Sequence, residues 1–241
     1  INRDISWLSF NARVLQEAAD PQVPILERLK FLGIYSNNLD EFFRVRIATI
    51  KRLSRLGIKA RKMLSGEDPS KLLQRIQEII IAQQDLFEET YSNILKELEL
   101  HGIFLLNEKQ LSTVQQNFVR EYFRSSVLPT LVPIMIDNAP TFPYLRDRAI
   151  YLYISLNKKK KDQKPVYALI EIPTDVLPRF LVLPKDNKYI ILLDDVIRFC
   201  LEEVFPHFEY DNISSYVIKL TRDAELDIEQ DVTKSLVKKI A

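Results

Sequence analysis

Apolar residues recur at helical spacing through the first hundred positions. The segment "DISWLSFNARVLQEAAD" carries Ile5, Leu8, Val14, Leu15 and Ala18, mostly on one helical face. Pro21 and Pro24 interrupt it, and Pro24 suits the first turn of a second helix. That helix is predicted from about Ile25 to Leu56, with Leu29, Leu32, Leu39, Phe43, Ile47, Ile50 and Leu53 on its apolar stripe. "GIKARKMLSGEDPS" reads as a loop or a frayed end. A third helix is expected after Asp68-Pro69, running through Leu72, Ile76, Ile80, Phe87, Ile94 and Leu98 to about Leu100, where Gly102 stops it. Three long amphipathic helices should pack as an antiparallel bundle, which makes residues 1–100 a helical domain.

The pattern changes at about Ile103. "IFLLN" is short and extended, and "EKQLSTVQQNFVREYFRSSV" is helical. "AIYLYISLN" and "PVYALIEIP" are β-branched and aromatic, joined by a charged link, and predict a hairpin. "RFLVLP" and "KYIILLDD" add extended segments, "DVIRFCLEEVF" a helix and "SSYVIKLTRD" a further strand. The fold class is therefore α plus α+β: a helical bundle over 1–100, then an α+β domain over 101–241.

Composition adds bounds. Only four Gly in 241 residues favours long helices over turn-rich β architecture. No apolar run approaches the ~18–20 residues of a membrane span, and "INRDISWLSF" lacks the cationic start and apolar run of a signal peptide. A single Cys excludes an intrachain disulfide and fits a reducing cytosol. Cys200 falls among Val196, Ile197, Leu201 and Val204 at helical spacing and reads as a core thiol.

The net charge of +1 carries no information, but its distribution does. Arg44, Arg46, Lys51, Arg52, Arg55, Lys59, Arg61 and Lys62 fall between Phe42 and Gly66 with no acid among them. The third helix is rich in acids, including Asp85, Glu88, Glu89, Glu97 and Glu99. Two readings are open. The antiparallel helices set opposite charges against each other, or the basic stretch attracts a polyanion such as a nucleotide or polyphosphate. Nucleic acid is the weaker choice, because no aromatics interleave the bases. The run "KKKKDQK", Lys158 to Lys164, reads as a solvated hairpin tip.

Catalytic chemistry is missing from the motifs. His101 stands at a helix C-terminus and His207 follows Pro206 in a loop, and neither has neighbours at metal-ligand spacing. No Gly-rich phosphate loop and no nucleophile–base pair can be named. One stretch stands out. "YSNNLDEFFRVR", residues 35–46, sets Asn37 and Asn38 inside the second helix, although asparagine competes for backbone hydrogen bonds and is a weak helix former.

The segments "ISWLSFNARVLQEAAD", "ILERLKFLGIYSNNLDEFFRVRIA", "YALIEIPTDVLPRFLVLP", "ILLDDVIRFCLEEVF" and "KLTRDAELDIEQD" together resemble bacterial polyphosphate kinase of the long, histidine-phosphorylating type. The likeness runs through essentially the whole chain in the family's order, and "SWLSFN", "SNNLDEFFRVR" and "TRDAELD" carry it most specifically. It implies an enzyme that reversibly transfers the terminal phosphate of ATP to inorganic polyphosphate through a phosphohistidine, with Mg2+.

It also implies a helical N-terminal domain, a head domain that contributes to dimerisation, and two catalytic C-terminal domains. This chain is similar to the first two only. It is expected to be a piece of such an enzyme, catalytically silent alone, with no catalytic residue and no metal ligand of its own. The resemblance assigns ATP binding to Asn38 and leaves Asn37 as a cap or a bond to a neighbouring helix. It implies ATP or ADP and polyphosphate as partners, with Arg44, Arg46, Lys51 and Arg52 as candidate polyanion contacts. A homodimer or higher homo-oligomer through the head, no nucleic acid and no transmembrane segment are further expectations. The expected location is the cytoplasm, with peripheral membrane association allowed. The alternative is an assembly module that makes no nucleotide contact.

Overall fold

The structure, a computed structural model, describes residues 2–54, 64, 66–136, 143–157, 165–184 and 188–223. The expectations for Lys158 to Lys164, for most of "GIKARKMLSGEDPS" and for the segment after Asp223 lie outside these residues.

The bundle forms from α1 (Arg3–Ala19), α2 (Ile25–Phe42), α3 (Ala48–Ser54) and α4 (Pro69–Leu100). Side chains cap the ends. Asn2 accepts from the backbone N–H groups of Asp4 and Ile5 at 2.8 and 3.2 Å, and Asp68 accepts from those of Ser70 and Lys71 before α4. Gly102 closes α4 at φ 73°, a left-handed conformation that glycine adopts without Cβ strain.

Two apolar clusters hold the bundle. Leu8 packs with Phe42, Ile47, Ile50, Leu72, Ile76 and Ile80, while Leu15 and Ala18 pack with Leu32, Tyr35, Ile94 and Leu98. This pairing sets α2 antiparallel to both α1 and α4.

The predicted single helix from Ile25 to Leu56 is interrupted by a π-turn at Phe43–Ile47. One residue more than an α-turn is wound in there. In an unbroken α-helix, Arg46 would follow Phe42 at i+4 on the core stripe. The π-turn puts Ile47 on the core instead, followed by Ile50 and Leu53, all buried. Arg46 is moved to the rim.

The second half builds two sheets. Strands β1 (Ile103–Leu106), β5 (Phe180–Val182) and β6 (Lys188–Leu192) form one of order β1-β6-β5, with β1 parallel to β6. Strands β2 (Pro133–Met135), β3 (Ile150–Asn157), β4 (Val166–Glu171) and β7 (Asn212–Lys219) form an antiparallel sheet of order β2-β4-β3-β7. The hairpin expected from "AIYLYISLN" and "PVYALIEIP" is the β3–β4 pair.

Helix α5 (Thr113–Tyr122), extended by a π-turn over Phe123–Val127, packs with α6 (Leu193–Phe199) over the main core. Leu152, Ile154, Ala168 and Ile170 enter that core. Tyr151 and Leu169 pack on the opposite sheet face with Leu145 and Ala149. Burial on both faces explains why β3 reads as an almost continuous apolar run. The single helix predicted for "DVIRFCLEEVF" divides at Cys200 into α6 and α7 (Leu201–Val204). Cys200 is buried, and burial pushes its thiol up to about 12, so it is a core residue as expected.

Candidate functional site

Asn11 lies on the apolar stripe of α1, three residues after Leu8 and four before Leu15, and is fully buried. Its Nδ2 donates to the backbone carbonyl of Tyr35 at 3.2 Å. Its Oδ1 accepts from Asn38 Nδ2 at 3.0 Å. The Tyr35 hydroxyl donates to Gln83 Oε1 at 3.2 Å, and Gln83 Nε2 donates to the Leu8 carbonyl at 3.3 Å. This polar network joins α1, α2 and α4 inside the bundle, and burial raises the Tyr35 hydroxyl pKa above its ordinary value.

The expectation for Asn37 needs a correction. Asn37, expected to cap the helix or bond a neighbouring one, is exposed, and it is Asn38, to which the resemblance assigns ATP binding, that makes the bond to α1. The helical register decides this, since position 38 faces α1 and position 37 faces outward. Asn38 is only half-buried, and its carbonyl oxygen has no hydrogen-bond partner among the described residues.

The next turn of α2 meets the second half of the chain. Asp40 pairs with Lys219 at the end of β7. Glu41 pairs with Arg148 at 3.0 Å and with Arg44 at 3.6 Å. Arg148 stands in a turn at φ 61°. Beside it Asp147 accepts the Arg222 backbone N–H at 2.7 Å. That bond, aided by the nearby Arg44 and Arg148 guanidinium groups, holds the Asp147 carboxyl below the usual carboxylate range. Arg222 caps the Leu145 carbonyl at 2.8 Å and lies 3.8 Å above the Tyr144 ring. The segments "SWLSFN", "SNNLDEFFRVR" and "TRD", far apart in the chain, therefore converge here.

The four candidate basic residues are placed differently. Arg46 makes a two-pronged ion pair with buried Asp4 at 2.7 and 3.0 Å. Arg44 reaches Glu41 and the Asp147 turn. Arg52 is half-buried and Lys51 is exposed. The ion pairs of Arg44 with Glu41 and of Arg46 with Asp4 go to α2 and α1. Glu97 of α4 pairs with buried Arg28 at 2.7 Å. The α4 acids named above lie in its second half, whereas Ile47 and Ile50, beside the basic residues of the described part of the stretch, pack against its first half at Leu72, Ile76 and Ile80.

Sequence reasoning missed Asn11, Arg148 and Arg222. Asn11 had a signal, being a carboxamide on an otherwise apolar stripe. The other two had none, because their roles arise from a long-range meeting of loops.

A second charged cluster sits under the β6–α6 junction. Asp194 pairs with Arg179 at 2.9 Å, and Arg198 bridges Asp195 at 2.8 Å and Glu108 at 3.3 Å. Burial, opposed by Arg198, raises the Asp195 carboxyl to about 6. His101 and His207 are both exposed. Among the described residues no group of three or more His, Cys, Asp or Glu side chains could hold a metal ion, and no helix is long and apolar enough to cross a membrane.

Comparison with known proteins gives a consistent picture. The family model for the polyphosphate kinase N-terminal domain matches residues 1–106, and that for the polyphosphate kinase middle domain matches residues 114–241. A polyphosphate kinase of Vibrio parahaemolyticus is 44% identical over 248 residues, covering 100% of this chain and 35% of that protein. One of Escherichia coli strain K12 is 41% identical over 243 residues, covering 98% of this chain and 34% of that protein. The crystal structure of polyphosphate kinase from Porphyromonas gingivalis superposes with a TM-score of 0.80 at 37% identity, over 94% of this chain and 33% of that one. The chain spans about a third of the length of the curated relatives it matches.

Proposed function

The chain belongs to the polyphosphate kinase family, and from that premise we propose that it is the bundle and head of an enzyme that reversibly transfers the terminal phosphate of ATP to polyphosphate through a phosphohistidine. In this reading neither His101 nor His207 is the nucleophile, and this chain alone is inactive. Magnesium would accompany the nucleotide and neutralise phosphate charge, and no step proposed here runs through a metal held by this chain.

The bundle supplies Asn38 to the ATP pocket. The observation that carries this role is the half-buried carboxamide, held on one side by Asn11, with no partner for its carbonyl oxygen among the described residues. Of the four basic candidates, Lys51 is the exposed one and is best placed to attract the polyanion. Arg44 and Arg46 act first within the fold.

In the full-length protein, Asn38→Ala should raise the apparent ATP constant about three- to a hundredfold, the effect of one or two lost hydrogen bonds to a ligand. Steady-state kinetics check this. Unchanged ATP kinetics with a lowered melting temperature would make Asn38 a structural tie and no more. In the same assay, Lys51→Glu should weaken polyphosphate use more at low salt than at high salt, because exposed charge is screened over about 8–10 Å. Equal losses at both salts would remove Lys51 from the polyanion path.

Self-association through the head is supported by β7, an edge strand that exposes Tyr216, Val217 and Ile218. The segment around Tyr144, Tyr151 and Tyr153 fits such a surface less well. Tyr151 is 1% exposed inside the head and Tyr153 stacks on Tyr167, which leaves Tyr144 as its outward residue. Phe142 lies outside the described residues. Sedimentation of the full-length protein carrying Tyr216→Lys tests the surface, and an unchanged dimer would remove β7 from it.

A further inference from the structure

A fully buried asparagine on the core stripe of a helix needs a reason, because leucine would fill that position without a polar group to satisfy. The hydrogen-bond order around Asn11 supplies one. The Tyr35 backbone carbonyl can only accept. The side of Asn11 that meets it must therefore be the amide nitrogen, as the 3.2 Å contact has it. Asn11 then turns its carbonyl oxygen toward Asn38. Asn38 must answer with its own nitrogen, at 3.0 Å. Its carbonyl oxygen is thereby turned away from Asn11. The polarity of both carboxamides is set by one backbone acceptor at the root of the relay. Tyr35 is itself fixed by burial and by its hydroxyl bond to Gln83 at 3.2 Å.

We infer that Asn11 is a positioning residue that locks the Asn38 carboxamide with its oxygen presented to ligand, so that this oxygen selects a hydrogen-bond donor on the nucleoside. This rests on the reading that Asn38 contacts ATP. A carbonyl oxygen cannot accept from ionised phosphate oxygens, which have no hydrogen to give, and its partial charge repels them. It can accept from the exocyclic amine of adenine or from a ribose hydroxyl. Both are the same chemistry, a neutral N–H or O–H donor. Without Asn11 the carboxamide can rotate, and either end can face the ligand.

The test uses the full-length protein. The ratio of kcat/KM for ATP to that for ITP, which lacks the amine, and to those for 2′-deoxy- and 3′-deoxy-ATP, which each lack a hydroxyl, is measured in wild type, Asn11→Leu and Asn38→Leu. Wild type should disfavour one class of analogue by about two- to tenfold, the effect of one neutral hydrogen bond. The disfavoured class identifies the donor. Asn38→Leu should abolish that discrimination, and Asn11→Leu should abolish most of it while Asn38 is still present.

A merely structural role for Asn11 would change all nucleotides alike and leave the ratios intact, and that result overturns the inference. So does a wild-type enzyme with no discrimination in any arm, provided Asn38→Leu still weakens ATP use. Unchanged ATP kinetics in Asn38→Leu would instead sink the ATP-contact reading, and this inference with it. If Asn11→Leu does not fold, Asn11→Ser, which keeps a donor and an acceptor on a shorter arm, should reduce the ratio in the same direction, and an unreduced ratio overturns the inference.

Discussion

The bundle and the head hold themselves together differently. The bundle divides its apolar contacts between two clusters and ties its helices with buried polar groups: Asn11, the Tyr35–Gln83 pair, Asp4–Arg46 and Arg28–Glu97. The head gathers Val119, Phe123, Leu152, Ile154, Ile170, Ile191, Val196 and Phe205 into one core and keeps most charge at its edges. Its exception is the Asp194–Asp195 cluster at the start of α6. Apolar burial is tolerant of direction, whereas a hydrogen bond is not. The bundle's geometry is accordingly specified atom by atom around Asn38, and the head's mainly by volume.

The largest effect expected from this contrast lies in the head. Phe123 is fully buried, and Phe123→Ala should cost about 3–5 kcal/mol through lost burial and a cavity. Thermal unfolding measured separately by helix signal and by a probe in the sheet checks it. Coincident loss of both signals would show that bundle and head unfold as one.

Next comes Asp4→Ala in the bundle. Asp4 is buried while Arg46 keeps some access to water, so loss of this two-pronged pair should cost about 1–3 kcal/mol, less than a fully enclosed pair. Denaturant melts measure it, and a loss below a few tenths would mean that the π-turn does not depend on the Asp4–Arg46 pair.

The pH dependence sharpens the head's exception. Burial raises the folded Asp195 carboxyl to about 6, above its ordinary value of 3.8, so the folded state holds the proton more tightly than the unfolded chain. That contribution is fully present below about pH 4 and is lost as pH rises toward about 6. Asp195→Asn should flatten this part of the stability–pH curve. Equal slopes for wild type and variant in melts between those pH values would show that Arg198 already holds the charged form. The smallest effect belongs to Asn37→Ala. Asn37 is exposed, and alanine is the better helix former, so stability should rise by about 0.3–0.7 kcal/mol with ATP kinetics unchanged. A clear loss of stability would restore Asn37 to a structural role.

Much of this protein was legible in local patterns. The stripes of α1 and α4, that of α2 apart from Leu29 and Phe43, which are exposed, the Asp68 cap with Pro69, the Gly102 stop and the β3–β4 hairpin all depend on residues close in sequence. So does the family likeness, which rests on short segments. The π-turn at Phe43–Ile47 was not legible, because the extra residue is selected by burial of Ile47 against α1 and α4 and by Asp4 waiting for Arg46. Nor was it legible that Asn38 and not Asn37 ties α2 to α1, since both are equally polar and only the position of Asn11 on a different helix distinguishes them. The parallel β1–β6 pair and the meeting of Asp40 and Glu41 with Lys219 and Arg148 join residues more than eighty positions apart. Local propensity fixes periodicity and ends. Which buried donor meets which acceptor is decided only when the packed helices and sheets bring them together, because each must be satisfied once water is gone.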